Sequence, residues 1–178
     1  MTLVKDPLLA AARLILYFFV AALGIAAAAL TIAAPLLFVF RERAVATFTA
    51  EGVTDAARIF PALPLVMLAI AGLLALGVYF LLLLRRIVNS VGDGDPFIPD
   101  NATRLARMGW TSIAGQLASI PIGAAVVWIA RIVDDNAKVR VDEFGFSGNG
   151  ILLVLILFIL ARVFRRGAEM REELEGTV

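Results

Sequence analysis

The sequence between Ile59 and Leu84 reads IFPALPLVMLAIAGLLALGVYFLLLL and contains no charged residue. A helix needs about 20 mainly apolar residues to cross the hydrocarbon core of a bilayer. Inside that core, only a helix or a closed barrel satisfies all of its own backbone N–H and C=O groups. This stretch therefore predicts a transmembrane helix.

Three further stretches lack charged residues in the same way: Leu14–Phe40, Met108–Ala130 and Phe144–Ala161. The strongly apolar part of the last one, Ile151–Ala161, is too short to cross alone, so the helix must use flanking residues on both sides. Ser147 is the expected N-cap of that helix. We predict an all-α, single-domain integral membrane four-helix bundle over residues 1–178, with spans at about 14–40, 59–84, 108–130 and 144–164.

The composition supports a membrane protein. Of the 178 residues, 61% are hydrophobic, and the mean hydropathy of +0.93 is too high for a soluble globular protein. The apolar core of a signal peptide is about 7–15 residues long. The run that begins at Leu14 is longer than that, so we expect it to be the first permanent span.

The chain contains neither Cys nor His. The absence of Cys excludes disulfides and thiolate metal sites. The absence of His removes the usual general base, the commonest metal ligand and the usual axial ligand of haem. We therefore expect no enzyme activity, no metal and no cofactor. The net charge of +1 also argues against direct binding of nucleic acid.

The distribution of Lys and Arg predicts the orientation, because cytoplasmic loops of membrane proteins are enriched in both. With both termini in the cytoplasm, the cytoplasmic segments hold ten basic residues: Lys5, Arg13, Arg85, Arg86, Arg104, Arg107, Arg162, Arg165, Arg166 and Arg171. The opposite side holds six: Arg41, Arg43, Arg58, Arg131, Lys138 and Arg140. We predict an N-in/C-in protein with a cytoplasmic loop over 85–107 and a cytoplasmic tail over 165–178.

The predicted spans carry no charged residue at mid-depth, whereas ion-coupled transporters normally place one there. The third span has a stripe of small and weakly polar residues at helical spacing: Ser112, Gly115, Gln116, Ser119 and Gly123. Such stripes usually pack helices together, which is the interpretation we favour. The alternative is that the stripe lines a polar path through a small transporter or channel subunit that works as a homo-oligomer.

The connection between the second and third spans reads RRIVNSVGDGDPFIPDNATRLARMGW from Arg85 to Trp110. Two glycines and a proline, at 92, 94 and 96, predict the end of the helix that leaves the membrane. Asp100 or Asn101 is then expected to cap a new helix.

Two groups of residues carry a resemblance to a known family. The first is Gly94-Asp95-Pro96-Phe97 with Asn101, Arg104-Leu105 and Gly109-Trp110. The second is LARVFRRG over residues 160–167 with Met170-Arg171-Glu172-Glu173 and Thr177-Val178. With the four-span layout, they resemble the bacterial integral-membrane proteins catalogued as domain of unknown function 2975. The resemblance supplies no reaction. It implies a multi-pass protein of the bacterial cytoplasmic (inner) membrane that is a signalling or regulatory partner of a small cytoplasmic helix-turn-helix regulator.

The tail over 162–175 is predicted to extend the fourth span as a helix, with ion pairs Arg165–Glu169 and Arg171–Glu175 at i,i+4. Its charges indicate either a surface that docks a protein or an ordinary positive-inside anchor. Arg162 lies near the expected membrane boundary. We expect its side chain to reach the headgroups, the alternative being an ion pair with Asp95 or Asp100.

The leading hypothesis is a non-enzymatic protein, embedded in the lipid bilayer, whose loop and tail bind a cytoplasmic partner. The candidate docking residues are Asp95, Pro96, Phe97, Asn101, Arg104, Arg107, Arg165, Glu172 and Glu173.

Overall fold

The computed structural model describes residues 7–53, 55–92, 94–134, 139–140 and 144–175. Lys5, Lys138 and Thr177–Val178, which were used above, lie outside these ranges, as does the side chain of Glu175. The described residues form helices and no strand, as the sequence predicts. The helices are α1 (Pro7–Val39), α2 (Arg41–Ala50), α3 (Ala56–Ile59), α4 (Ala62–Gly92), α5 (Pro99–Val133) and α6 (Gly148–Glu175).

Three of these helices, α1, α4 and α5, are long and apolar enough to cross a membrane. Only 6%, 6% and 17% of their most apolar windows is buried inside the protein. Such a large exposed apolar surface is what lipid-facing helices present. The helix α6 is not among the three. Its charge-free segment is short and ends at Arg162, so the fourth span and the four-helix bundle stay predictions.

Helical structure extends from both sides into the connection between the second and third predicted spans. The helix α4 continues past Arg85 and Arg86, which are good helix formers, and ends at Gly92. The helix α5 already begins at Pro99, a residue favoured at the first helical position. The expected cap at Asp100 or Asn101 is therefore wrong. Only residues 93–98 separate the two helices, and we call them the connector.

The structure divides into two compact units, of which the first contains Met1–Ala22, Gly77–Ala114 and Gly148–Val178. Its core joins α4, α5 and α6 through buried side chains: Leu83, Ile87, Leu105, Met108, Leu157 and Ala161. The first turns of α1 contact the last turns of α4. The guanidinium of Arg13 lies against Gly92, and that of Arg85 lies 4.2 Å from the centre of the Tyr17 ring. The connector thus lies at the end of a packed set of helices.

The second unit contains Leu23–Leu76 and Gly115–Ser147. A small buried cluster of Val53, Ala56 and Ile59 packs against partly buried apolar residues: Val45, Phe48, Ile129 and Ile132. This cluster holds α2 and α3 against the last turns of α5.

The core of the first unit yields a prediction. Leu83 is 2% exposed, and a Leu-to-Ala change at such a site costs about 2–5 kcal/mol, because a cavity remains. We expect Leu83→Ala to lower the Tm in detergent by at least about 4 °C. The matched control is Leu65→Ala on the same helix, because Leu65 is 68% exposed. Equal Tm values for the two variants would contradict the packing of α4 in the core of the first unit.

Candidate functional site

The connector begins with a glycine turn that closes the end of α4. Gly94 has φ +91°, a conformation that L residues with a side chain rarely adopt. Its N–H donates to the carbonyl of Val91 at 3.1 Å, and the N–H of Asp95 donates to the carbonyl of Ser90 at 3.2 Å. These two bonds form a Schellman motif, which satisfies carbonyls that the helix end would leave unpaired.

The side chain of Asn101, on α5, binds the connector and the end of α4 through hydrogen bonds. The residue is 0% exposed. Its Nδ2 donates to Ser90 Oγ at 2.6 Å and to the Pro96 carbonyl at 2.9 Å, while its Oδ1 accepts from Arg104 at 2.8 Å. The amide therefore uses both of its donors and its acceptor. One buried side chain links α4, the connector and α5.

Arg104 and Arg107 differ in the accessibility of their side chains. The guanidinium of Arg104 is bound to Asn101 and also to Asp100 Oδ2 at 3.0 Å, and its side chain is only 20% exposed. Arg107 is exposed on α5. Of these two predicted docking residues, Arg104 thus stabilises the start of α5, and Arg107 faces outward.

The connector is joined to α6 by an ion pair and an aromatic contact. Asp95 pairs with Arg171. The Phe97 ring packs against Phe164, with the ring centres 5.3 Å apart. It also covers Gly167, where an added Cβ would lie 2.6 Å from Phe97 Cδ1. We call these five residues the connector–α6 joint.

One of the two predicted ion pairs is wrong, and the other, Arg171–Glu175, involves a side chain outside the described residues. Glu169 pairs with Arg166 at 3.4 Å and not with Arg165. Arg171 pairs with Asp95 because it lies on the face of α6 that meets the connector. The alternative pairing of Arg162 with Asp95 or Asp100 is also wrong, since those two carboxylates bind Arg171 and Arg104.

Four side chains of the predicted docking set remain accessible near the joint: Phe97, Arg165, Glu172 and Glu173. Phe97 is 43% exposed although it packs on α6. Pro96 is half-buried, and its carbonyl is used by Asn101. The structure thus divides the set into residues that build the joint and residues that line its outer surface.

The stripe on α5 makes packing contacts in the second unit. An added Cβ at Gly115 would lie 3.7 Å from Leu73 Cδ1, and one at Gly123 would overlap the Phe144 ring. Ser119 Oγ accepts from the N–H of Gly145 at 2.9 Å and donates to the Gln116 carbonyl at 2.8 Å. These are contacts of the kind that hold membrane helices together. Gln116 itself is half-buried, and Ser112 lies on the part of α5 that belongs to the first unit.

Sequence reasoning missed four residues of the site: Ser90, Phe164, Gly167 and Arg171. The last three lie in the second group of residues that carried the family resemblance, but no spacing rule connects that group with the connector. Within the described ranges, no group of three or more Asp and Glu side chains is placed to hold a metal ion.

The buried amide yields a second prediction. Replacing Asn101 by Ala removes the donor to the buried Pro96 carbonyl and one hydrogen bond each from Ser90 and Arg104, which keep Ile87 and Asp100 as partners. A buried group that stays unpaired costs about 1–3 kcal/mol. We expect a clear fall in Tm in detergent. Thr103→Ala, an exposed change on the same turn of α5, serves as control. A fall no larger than that of the control would show that the amide does not stabilise the turn.

The joint connects the two groups of residues on which the family resemblance rests. A sequence profile for a family described as protein of unknown function (DUF2975) matches residues 4–178. No curated protein and no solved structure matches the chain. The match covers nearly the whole chain, including every described helix, and the chain belongs to the DUF2975 family.

Proposed function

We propose that this protein is a non-enzymatic, multi-pass protein of the bacterial inner membrane that binds a cytoplasmic regulator through the surface made by the connector and α6. The observation that supports it most is the connector–α6 joint. Two segments far apart in the sequence are held together there by Asp95–Arg171 and by Phe97 on Phe164. A surface fixed before binding loses less conformational entropy when a partner binds.

The surface has the mixed character of a protein interface. A partly exposed aromatic residue, Phe97, lines a shallow cavity of about 180 Å³. A second cavity, of about 290 Å³, shares Pro99, Ala168 and Glu172 with the first. That cavity is lined by Pro99, Thr103, Arg165, Ala168, Glu169 and Glu172. Aromatic residues with a polar rim are typical of protein interfaces.

The acidic part of the surface favours a positive patch on the partner. Glu172 and Glu173 are both exposed on the outer side of α6. DNA-binding proteins carry a positive patch, and complementary charges raise the rate and the specificity of association. The partner we propose is the small helix-turn-helix regulator that the family resemblance implies.

The side of the membrane follows from two arguments. The connector joins α4 and α5, which are both long enough to span, so it lies at one membrane face, and the end of α6 that contacts it lies at the same face. Ten of the sixteen basic residues are on that side when both termini are in the cytoplasm. The positive-inside rule then supports a cytoplasmic position for this face.

The test is in-cell photo-crosslinking from position 97, followed by mass spectrometry. We expect capture of a small DNA-binding protein. Reversing both charges in Glu172→Lys/Glu173→Lys should reduce capture by about tenfold or more, since like charges across an interface cost more than 1.4 kcal/mol. The matched control is Glu42→Lys/Glu51→Lys, two exposed glutamates of the second unit. Equal capture by both variants, or capture only of other copies of this chain, would contradict the proposal.

Exchanging the charges of Asp95 and Arg171 tests whether their ion pair holds α6 on the connector. Arg171→Asp places two carboxylates together and should reduce capture, because α6 is no longer held on the connector. The exchange Asp95→Arg/Arg171→Asp restores an ion pair and should restore capture. A double variant as weak as the single one would show that the residues contact the partner individually and do not fix the surface.

A further inference from the structure

A second feature of the first unit adjoins the proposed partner surface on α6. A groove of about 480 Å³ runs between α5 and α6. Its lining combines apolar residues with charged ones: Ala106, Phe158, Ala161, Arg162, Arg165, Arg166 and Glu169. The groove shares Arg165 and Glu169 with the cavity of the proposed partner surface, whereas its apolar side chains and Arg162 lie outside that cavity.

Close packing between α5 and α6 fixes the position of the apolar side chain Phe158 in the groove. Gly109 allows α6 to approach α5 closely, since an added Cβ would lie 3.0 Å from Phe158 Cζ. Trp110 packs edge-on against the Phe158 ring, with the centres 5.6 Å apart. Trp110 is itself 65% exposed, as tryptophans at membrane interfaces commonly are.

The charged wall of the groove carries an excess of positive charge. Arg166 pairs with Glu169. Arg162 and Arg165 have no ion pair within the described residues. Three guanidinium groups and one carboxylate thus leave a net charge of +2. Arginines three and four positions apart on a helix repel each other, so an anion bound between them would relieve the repulsion.

Exposed apolar side chains lie next to these arginines along α6. Leu155 and Ile159 are 56% and 53% exposed. Spacings of four, three and four residues place them on the same helix face as Arg162 and Arg166. An elongated ligand lying along this face would meet apolar side chains at one end and guanidinium groups at the other. Among cellular anions, a phospholipid has this shape and this distribution of charge.

We propose that the groove binds an anionic phospholipid of the surrounding bilayer. The phosphate oxygens accept hydrogen bonds from Arg162 and Arg165, whose planar guanidinium groups match phosphate geometry. The acyl chains follow Leu155 and Ile159 along α6. Basic pockets beside membrane helices are known to favour anionic headgroups. The inference does not depend on the proposed regulator.

Native mass spectrometry tests the inference on the full chain in detergent. Phosphatidylglycerol or cardiolipin is titrated against phosphatidylethanolamine, and the lipid-bound fraction is measured. We expect the two anionic lipids to bind preferentially. In Arg162→Gln/Arg165→Gln the affinity for them should fall about 25-fold, since each basic residue near an anionic surface contributes roughly a fivefold factor. Equal binding of all three lipids would overturn the inference.

The matched control is Arg41→Gln/Arg43→Gln on α2, which removes the same charge from two exposed arginines in the second unit. We expect unchanged lipid binding. An equal loss in both variants would show that only the total charge attracts lipid, which overturns a site in the groove. The Tm of each variant is measured alongside. If the double Gln variant unfolds, the single variants Arg162→Gln and Arg165→Gln are each expected to lower the affinity about fivefold, and unchanged binding in both would also overturn the assignment.

A competition experiment distinguishes binding of a phospholipid from binding of a soluble phosphate. Glycerol phosphate at millimolar concentration presents the same headgroup without acyl chains. We expect it to leave bound phosphatidylglycerol in place, because it gains nothing from Leu155 and Ile159. Displacement of the lipid by glycerol phosphate would show that the groove is a site for soluble phosphates.

Discussion

The turn between α4 and α5 must reverse the chain without leaving buried polar groups unpaired, and the first unit depends on this constraint. Backbone bonds around Gly94 satisfy the last carbonyls of α4. The Asn101 amide satisfies Ser90 and Pro96 beside them. Since Asn101 is fully buried, water cannot replace any of these partners. These bonds together hold Asp95 and Phe97 where α6 can contact them.

The residues that carry the family resemblance form one contact network rather than two separate motifs. Gly94 supplies the left-handed turn, and Gly167 lets the Phe97 ring lie on α6. Asp95 and Arg171 add an ion pair. Half-exposed ion pairs contribute little to stability, so their value here lies in fixing how α6 meets the connector. A surface with a fixed shape is the property that a docking protein needs.

Three of the four predicted spans correspond to long apolar helices, because the length and composition that the hydrocarbon core requires are local properties of the sequence. Any charge-free run of sufficient length meets this requirement, as in α1, α4 and α5. The contacts of the connector were not predictable in this way. Asp95 and Arg171 are brought together by the packing of three helices, whereas the predicted pairs considered only neighbours on α6. Asn101 was expected to cap a helix because Asn often does so. Its buried amide instead donates hydrogen bonds to Ser90, on the preceding helix, and to the Pro96 carbonyl.

The lipid groove and the partner surface meet on a single turn of α6. Phe164 packs against the connector, while its neighbour Arg165 lines both the groove and the second cavity of the partner surface. Coupling between two sites requires an element with two states that both ligands bias. The ion pair of the joint is half-exposed and contributes only about 0–1 kcal/mol, and the packing of Phe97 on Phe164 holds the joint beside it. A phosphate bound at Arg165 would withdraw that guanidinium from the partner surface. If both proposals hold, this turn is where the charge of the membrane can alter the binding of the regulator.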